Sequence, residues 1–129
     1  MSEKKITIRI DLAKYKHVDL EVDEALKLLD ALRRHFPNAG DIGEVIRYLK
    51  NFDEFLDYMR RKFKDYLPVP HKPDDYIRGT VTVDKVRLYK DGDVKRVVLI
   101  FDRRIDVNLL KKLLNEIGYS ENLIQVEKM

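Results

Sequence analysis

Cysteine and tryptophan are absent from the 129 residues of the chain. Without cysteine there are no disulfides, no thiolate nucleophile and no cysteine-based zinc site, so thiol redox chemistry is excluded. Long apolar runs are missing as well: no stretch approaches the ~18 to 20 apolar residues that span a bilayer, and the amino terminus, MSEKKITIRIDL, lacks the apolar core of a secretion signal. The sequence therefore predicts a soluble, cytoplasmic protein with no membrane partner.

A strong charge of one sign is also lacking. Lysine and arginine number 26 against 23 aspartate and glutamate residues, and the two signs are mixed along the chain. A net charge of +3 supports a polyanion partner only weakly, so folding must create any basic patch. Hydrophobic residues at 44% and charged residues at 38% are typical of one globular domain covering residues 1–129. The high content of lysine, arginine and glutamate, without cysteine or tryptophan, resembles the composition of proteins from hot environments.

The amino-terminal half shows one strand followed by helices. Residues 5–10, KITIRI, alternate as a half-buried strand does, and residues 23–36 have helical apolar spacing behind Asp23 as a candidate N-cap. An apolar stripe continues through residues 41–67 at steps of three and four. A second capping-box spacing at Asn51 and Glu54 leaves open whether this segment is one bent helix or two helices.

The carboxy-terminal half shows a hairpin, a helix and a strand. Residues 68–75, PVPHKPDD, predict a stiff extended connection, because proline cannot continue a helix. Two strand-like runs then flank Asp91-Gly92-Asp93, a strong hairpin signal, and a shift of the apolar phase predicts a bulge near Asp84. A helix over 106–117 and a last strand over 122–129 follow.

This order of elements predicts an α+β fold. Without the extra helical segment, 41–67, it is βαββαβ, the ferredoxin-like arrangement with strand order 4-1-3-2 and helices on one face of an antiparallel sheet. The alternative is a winged helix, in which helices from 23 to 67 precede a hairpin wing.

Two regions could contact nucleic acid. The helix DEFLDYMRRKFKDYL, 53–67, begins with carboxylates that would repel phosphates, so its basic end is interpreted as solvated. The hairpin is the better candidate, and with an Asp91-Gly92 loop Arg87 would face Arg96. Its basic residues are Lys85, Arg87, Lys90, Lys95 and Arg96.

A resemblance to RNA recognition motifs was tested on VKRVVLIFD, residues 94–102. Lys95 and Arg96 match the basic start of the RNP1 signature of that family, but Val97, Val98 and Leu99 replace its aromatic-Gly-aromatic core. The base-stacking rings are missing, so a standard RNA recognition motif is rejected.

The same strand is apolar on both faces. Val97, Leu99 and Phe101 lie on one face, and Val98 and Ile100 lie on the other. Because such a strand is covered on both sides, Val97, Leu99 and Phe101 are candidate interface residues, and a homodimer or a partner protein is expected.

Three carboxylates could form one catalytic metal site. In a ferredoxin-like sheet Asp11 could approach Asp91 and Asp93, an arrangement similar to the metal-binding carboxylates of polymerase-palm and nucleotide-cyclase domains. Asp-Gly-Asp is also ordinary turn chemistry, which is the favoured interpretation. His17 in a loop, His35 at a helix end and His71 between prolines form no set, so no metal and no cofactor is predicted.

The sequence contains no diagnostic motif. It favours a small non-enzymatic binding module, homodimeric, that contacts nucleic acid or another polyanion through the basic hairpin. The alternative is a purely protein-interacting module, such as an inhibitor or assembly subunit, and the third candidate is the metal-dependent phosphoryl-transfer site.

Overall fold

A computed structural model describes residues 5–62 and 64–129. Strands β1 (Ile6–Ile10) and β2 (Lys16–Glu21) come before helices α1 (Val22–His35), α2 (Gly40–Lys50) and α3 (Phe52–Arg61). The short strand β3 (Leu67–Pro68) and helix α4 (Pro73–Arg78) lead into the hairpin of β4 (Val83–Asp91) and β5 (Val94–Phe101). Helix α5 (Val107–Glu116), a 3-10 turn (Glu121–Leu123) and β6 (Ile124–Lys128) complete the chain.

The six strands form one sheet in the order β3-β4-β5-β2-β1-β6, antiparallel except for the β1–β6 pair. The predicted α+β class is therefore confirmed. The ferredoxin-like topology is not: β2, which was not predicted, lies between β1 and β5, and β6 runs parallel to β1. A sheet that starts with two strands before the first helix is not the winged-helix alternative either.

Helices α1, α2 and α3 account for the predicted helical half. Helix α1 buries Ala25, Leu28, Leu29 and Leu32 at helical spacing, as expected, although it starts at Val22 and Asp23 is not its N-cap. The segment 41–67 contains two helices, because Asn51 closes α2 by donating both its backbone and its side-chain N–H to the carbonyl of Arg47. Position 63 of the apolar stripe lies outside the described residues.

The proline-rich connection differs from the prediction of an extended segment. Only Leu67–Pro68 pairs with the sheet, and Pro73 starts the short helix α4, which extends to Arg78. Proline fits the first helical turn because it lacks only an N–H that has no partner there. The predicted bulge near Asp84 is confirmed by a register shift between Val83 and Lys85.

The hairpin turn is displaced by one residue from the predicted one. Asp91 pairs with Val94, so Gly92 and Asp93 form the turn, and Gly92 has the positive φ of 62° that glycine adopts readily. This displacement changes which side chains are opposite each other along the whole hairpin.

Helices cover one face of the sheet. Core side chains of the central strands, including Ile8, Val18, Leu20 and Leu99, pack in one buried cluster with residues of α1, α2, α3 and α5. Within residues 5–62 and 64–129, no helix is long and apolar enough to cross a membrane. The opposite face of the sheet carries most of the polar residues of the strands, although Ile100 is buried on that side.

Candidate nucleic-acid interface on the open face of the sheet

The strand registers arrange the open face in three rows of cross-strand neighbours. The first row contains Tyr89, Arg96 and Glu21; the second Arg87, Val98 and Asp19; the third Lys85, Ile100, His17 and Arg9. Neighbours within a row lie one strand apart, about 4.8 Å, and successive rows about 6.7 Å. Residues distant in the sequence therefore share one surface, which we call the open face.

The open face contains a concave site of about 630 Å³ that is rich in positive charge. Its lining includes Lys5, Arg9, Arg87 and Arg96, and Asp19 is the only Asp or Glu side chain that the described part of the chain contributes to the lining. The near-neutral composition of the whole chain thus conceals a local excess of cations. Such an excess is the electrostatic footprint expected of a polyanion site.

Arg87 and Arg9 are the two arginines of the site that have little compensating charge. Arg87 is exposed on β4 and forms no ion pair or hydrogen bond with any other described residue. Arg9 lies 3.8 Å from a carboxylate oxygen of Glu127, but both side chains are more than half exposed (61% and 62%). Surface pairs of this kind contribute little, so both guanidinium groups can bind a ligand.

Arg96 is in a different state, because a hydrogen-bonded network holds it. Its Nε donates to Asp19 Oδ1 (3.1 Å) and to the Tyr89 hydroxyl oxygen (3.1 Å), and the Tyr89 hydroxyl donates to Asp19. Burial, followed by the hydrogen bond to Asp19, raises the pKa of Tyr89, so the phenol stays protonated as a donor. Arg96 and Asp19 offset each other, which leaves the positive charge of the site to Lys5, Arg9 and Arg87.

An aromatic ring borders the site beside β4. Tyr66 lines the open face, and the ammonium nitrogen of Lys85 lies 4.6 Å from the centre of its ring, a cation–π contact. Sequence reasoning placed Tyr66 at the end of a helical apolar stripe and so missed it. Pro68 is the sequence signal that could have placed Tyr66 outside a helix, because helices usually end at or before the residue that precedes a proline.

His17 lies on β2 and not in a loop, and Asp11 orients its ring. His17 Nε2 and Asp11 Oδ2 are 2.9 Å apart, while Asp11 Oδ1 accepts the backbone N–H groups of Ala13 (2.9 Å) and Tyr15 (3.0 Å). Partial burial opposes ionisation of Asp11, but the bonds from His17, Tyr15 and Ala13 outweigh it and lower the pKa of this carboxyl. Asp11 is thus a fixed carboxylate beside the imidazole.

The five basic residues of the hairpin do not form one patch. Lys85, Arg87 and Arg96 are on the open face, whereas Lys90 and Lys95 are on the helix side, 3.5 Å and 3.3 Å from carboxylate oxygens of Asp53 in α3. Arg87 is opposite Val98 and not opposite Arg96, because the turn uses Gly92 and Asp93. Arg87 and Arg96 are therefore not the directly opposed pair that was predicted, although both line the concave site.

The three aspartates of the conceivable metal site are far apart. Asp11 follows β1 at the end of the sheet that contains Phe101, whereas Asp91 and Asp93 are at the opposite end of β5, about 23 Å away along the strand. The inserted strand β2 causes this, since it reverses β1 relative to the hairpin. Among the described residues no group of three or more His, Asp or Glu could hold a metal ion.

Val97, Leu99 and Phe101, the candidate interface residues, are completely buried within the chain, each with 0% exposure. They form part of the core beneath the helices. On the opposite side of the strand Ile100 is also buried, so Val98 is left partly exposed among charged neighbours. The accessible part of β5 on this face is therefore flanked by the charged side chains of Arg87 and Asp19.

The remaining histidines lie away from the open face. His71 pairs with Asp41 (3.0 Å), and the side chains of both partners are almost fully buried, at 4% and 2% exposure. His35 ends α1, where its ring meets Phe36 edge-on. Neither residue contributes to the open face.

Comparison with protein-family models, with curated proteins and with solved structures finds no match.

Proposed function

We propose that this protein binds single-stranded nucleic acid on the open face of its sheet. The observation that carries the proposal is a pair of guanidinium groups on one concave surface that Lys5 also lines: Arg87, which has no partner among the described residues, and Arg9, which has only an exposed ion pair with Glu127. Most protein contacts to nucleic acid go to phosphates, and arginine binds phosphate in a bidentate manner.

The spacing of the two arginines favours a chain of phosphates over a single one. Arg87 on β4 and Arg9 on β1 are three strands apart, about 14 Å, and side chains stand roughly perpendicular to a sheet. One phosphate cannot bridge both guanidinium groups in that arrangement. A flexible polyanion that crosses the strands can neutralise both.

A single strand fits the face better than a duplex does. Duplex readers insert a helix or a β-ribbon into a groove, whereas this site is concave and has the ring of Tyr66 at its border. Unpaired bases can stack on such a ring, which contributes ~1 to 3 kcal/mol per base.

The experiment is a binding titration with single-stranded oligonucleotides at several salt concentrations. Each phosphate contact contributes about 0.7 to the slope of log affinity against log salt for single strands. Arg9→Ala with Arg87→Ala is expected to weaken binding and to make the slope shallower by about 0.7 for each arginine removed.

The hairpin provides a matched control. Lys90→Ala with Lys95→Ala removes the same charge from the helix side of the sheet and is expected to leave the slope unchanged. Equal effects of the two double variants would contradict the proposal. Absence of binding to wild type at low salt would favour the protein-interacting alternative.

A further inference from the structure

A His–Asp pair borders the phosphate-binding surface proposed above. His17 is directly opposite Arg9 in the β1–β2 ladder and lines the concave site, and Asp11 bonds one edge of its ring. Opposite residues in such a ladder have Cβ atoms about 5 Å apart. The histidine is thus next to the guanidinium group that we expect to hold a phosphate.

The hydrogen bonds determine which ring nitrogen is available. An ionised carboxylate can only accept, so Nε2 is the nitrogen that donates to Asp11 Oδ2 (2.9 Å), and in the neutral form of the ring Nδ1 is the nitrogen with a lone pair. Nδ1 forms no hydrogen bond with a described residue. Every buried side-chain nitrogen or oxygen of the described residues has a partner, so Nδ1 is accessible to solvent.

The arrangement of Asp11 and His17 is that of an oriented general base. Asp11 is held by the N–H groups of Ala13 and Tyr15, so the turn fixes the carboxylate that fixes the imidazole. A packing role alone would not require a partly exposed ring with one free nitrogen on a cationic surface. The side chain of His17 is 21% exposed, which is sufficient for a small reacting group to reach it.

We propose that His17 is the general base of a metal-independent cleavage of single-stranded RNA. This activity rests on the binding function proposed above. Nδ1 accepts the proton of a ribose 2′-hydroxyl, the 2′-oxygen forms a bond to the adjacent phosphorus, and the bond from phosphorus to the 5′-oxygen breaks. Water protonates the departing 5′-oxygen, the imidazolium returns its proton to water, and the products are a 2′,3′-cyclic phosphate and a 5′-hydroxyl.

Arg9 and Asp11 have distinct roles in this reaction. Arg9 stabilises the charge that accumulates on the phosphoryl oxygens, the electrostatic contribution that fixed cations make to phosphoryl transition states. Asp11 is a positioning residue, because it acts through the imidazole and not on the RNA. Single strands are the expected substrate, since their flexible backbone can align the 2′-oxygen with the leaving 5′-oxygen.

The test combines binding and cleavage of an RNA oligonucleotide and its DNA counterpart in the presence of a chelator. Wild type is expected to bind both and to cleave only the RNA, leaving a cyclic phosphate end. His17→Ala is expected to cleave at least ~100-fold more slowly, the usual contribution of a general base, and to lose far less affinity for RNA than Arg9→Ala with Arg87→Ala does. Added imidazole is expected to restore part of the rate, which a purely structural loss would not permit.

Two further variants complete the design. His35→Ala, at the exposed end of α1, is the control and is expected to cleave as wild type does. Asp11→Asn is expected to lower kcat with little change in KM, because it disturbs the tautomer and not the binding surface.

Cleavage by His17→Ala at the wild-type rate would reveal a contaminating nuclease and overturn the inference. Wild type that binds RNA without cleaving it would overturn the inference and leave the binding function standing. Wild type that binds neither RNA nor DNA would overturn the binding function itself.

Discussion

Asp41 is the carboxylate on which the packing of the sheet edge depends most. It is buried near the start of α2, where its Oδ2 accepts the backbone N–H groups of Thr82 (2.6 Å) and Val83 (3.0 Å), and its Oδ1 accepts the Thr82 hydroxyl (2.6 Å). His71 adds a further bond to Oδ2. One side chain therefore joins α2, the proline-rich connection and the start of β4.

Asp41→Ala is expected to lower the free energy of unfolding by about 2 to 4 kcal/mol, because it leaves several buried donors without an acceptor. Urea denaturation measures this loss. Asp53→Ala removes an exposed carboxylate that is paired with Lys90 and Lys95, and it is expected to leave the transition midpoint almost unchanged. Equal midpoints for the two variants would contradict the structural role of Asp41.

The sequence pattern predicts some properties of single residues and not others. The alternation of β5 predicts correctly that Val97 and Leu99 share a face, because period two is a local property. The partner of Arg87 depends on the register, which the turn determines, and a turn displaced by one residue moved Arg96 away from it. Tyr66 and the His17–Asp11 pair depend on tertiary contacts that no local pattern encodes.

Among the elements, the β4–β5 turn determines the register of the hairpin, and a substitution of Gly92 tests its conformation. Gly92 and Gly40 both have space for a Cβ, with no neighbouring atom within 4 Å, but only Gly92 has a positive φ. Gly92→Ala is expected to destabilise the fold by about 1 kcal/mol, the cost of a left-handed conformation for an L-residue. Thermal or urea unfolding measures it.

Gly40→Ala is the matched control, because Gly40 is the first residue of α2. It is expected to be neutral or to stabilise by up to about 1 kcal/mol, since alanine restricts the unfolded chain. A neutral Gly92→Ala would show that the turn does not use a left-handed residue there.

Long periodic elements are the ones that the sequence predicts well. Helices α1, α2 and α3 follow from their apolar spacing, although Asn51 closes α2 and its side chain forms no capping box at the start of α3. Strand β2 was missed because only Val18 and Leu20 are apolar core positions in KHVDLE, and the chain buries the stem of Lys16 as the third. Helix α4 was missed because three prolines suggested an extended chain.

For the whole molecule, one missed strand changed the topology. Inserting β2 between β1 and β5 preserves the relative order of the four predicted strands, yet it reverses the direction of β1 against the hairpin. A site assembled from both ends of the sheet is lost as a result, and Asp11 pairs with His17 instead. The relative direction of two strands in an antiparallel sheet depends on how many strands lie between them, so one strand that the sequence pattern fails to predict reverses it.

The homodimer stays a prediction. It was inferred from an apolar second face, whereas that face carries Arg9, His17, Asp19 and Arg87 beside the partly exposed Val98. Light scattering at two protein concentrations would measure the oligomeric state. The polar character of the face instead favours a charged ligand as its partner.

The central claim is that the open face binds single-stranded nucleic acid, and NMR can locate the contact directly. The arginine Nε–Hε resonances are followed while a single-stranded oligonucleotide is added, and each is assigned with an arginine-to-lysine variant. We expect the signals of Arg9 and Arg87 to shift with the oligonucleotide, and those of Arg33 and Arg34 at the end of α1 to stay in place. Unchanged signals for Arg9 and Arg87, with shifts confined to the arginines of α1 or α3, would contradict the claim.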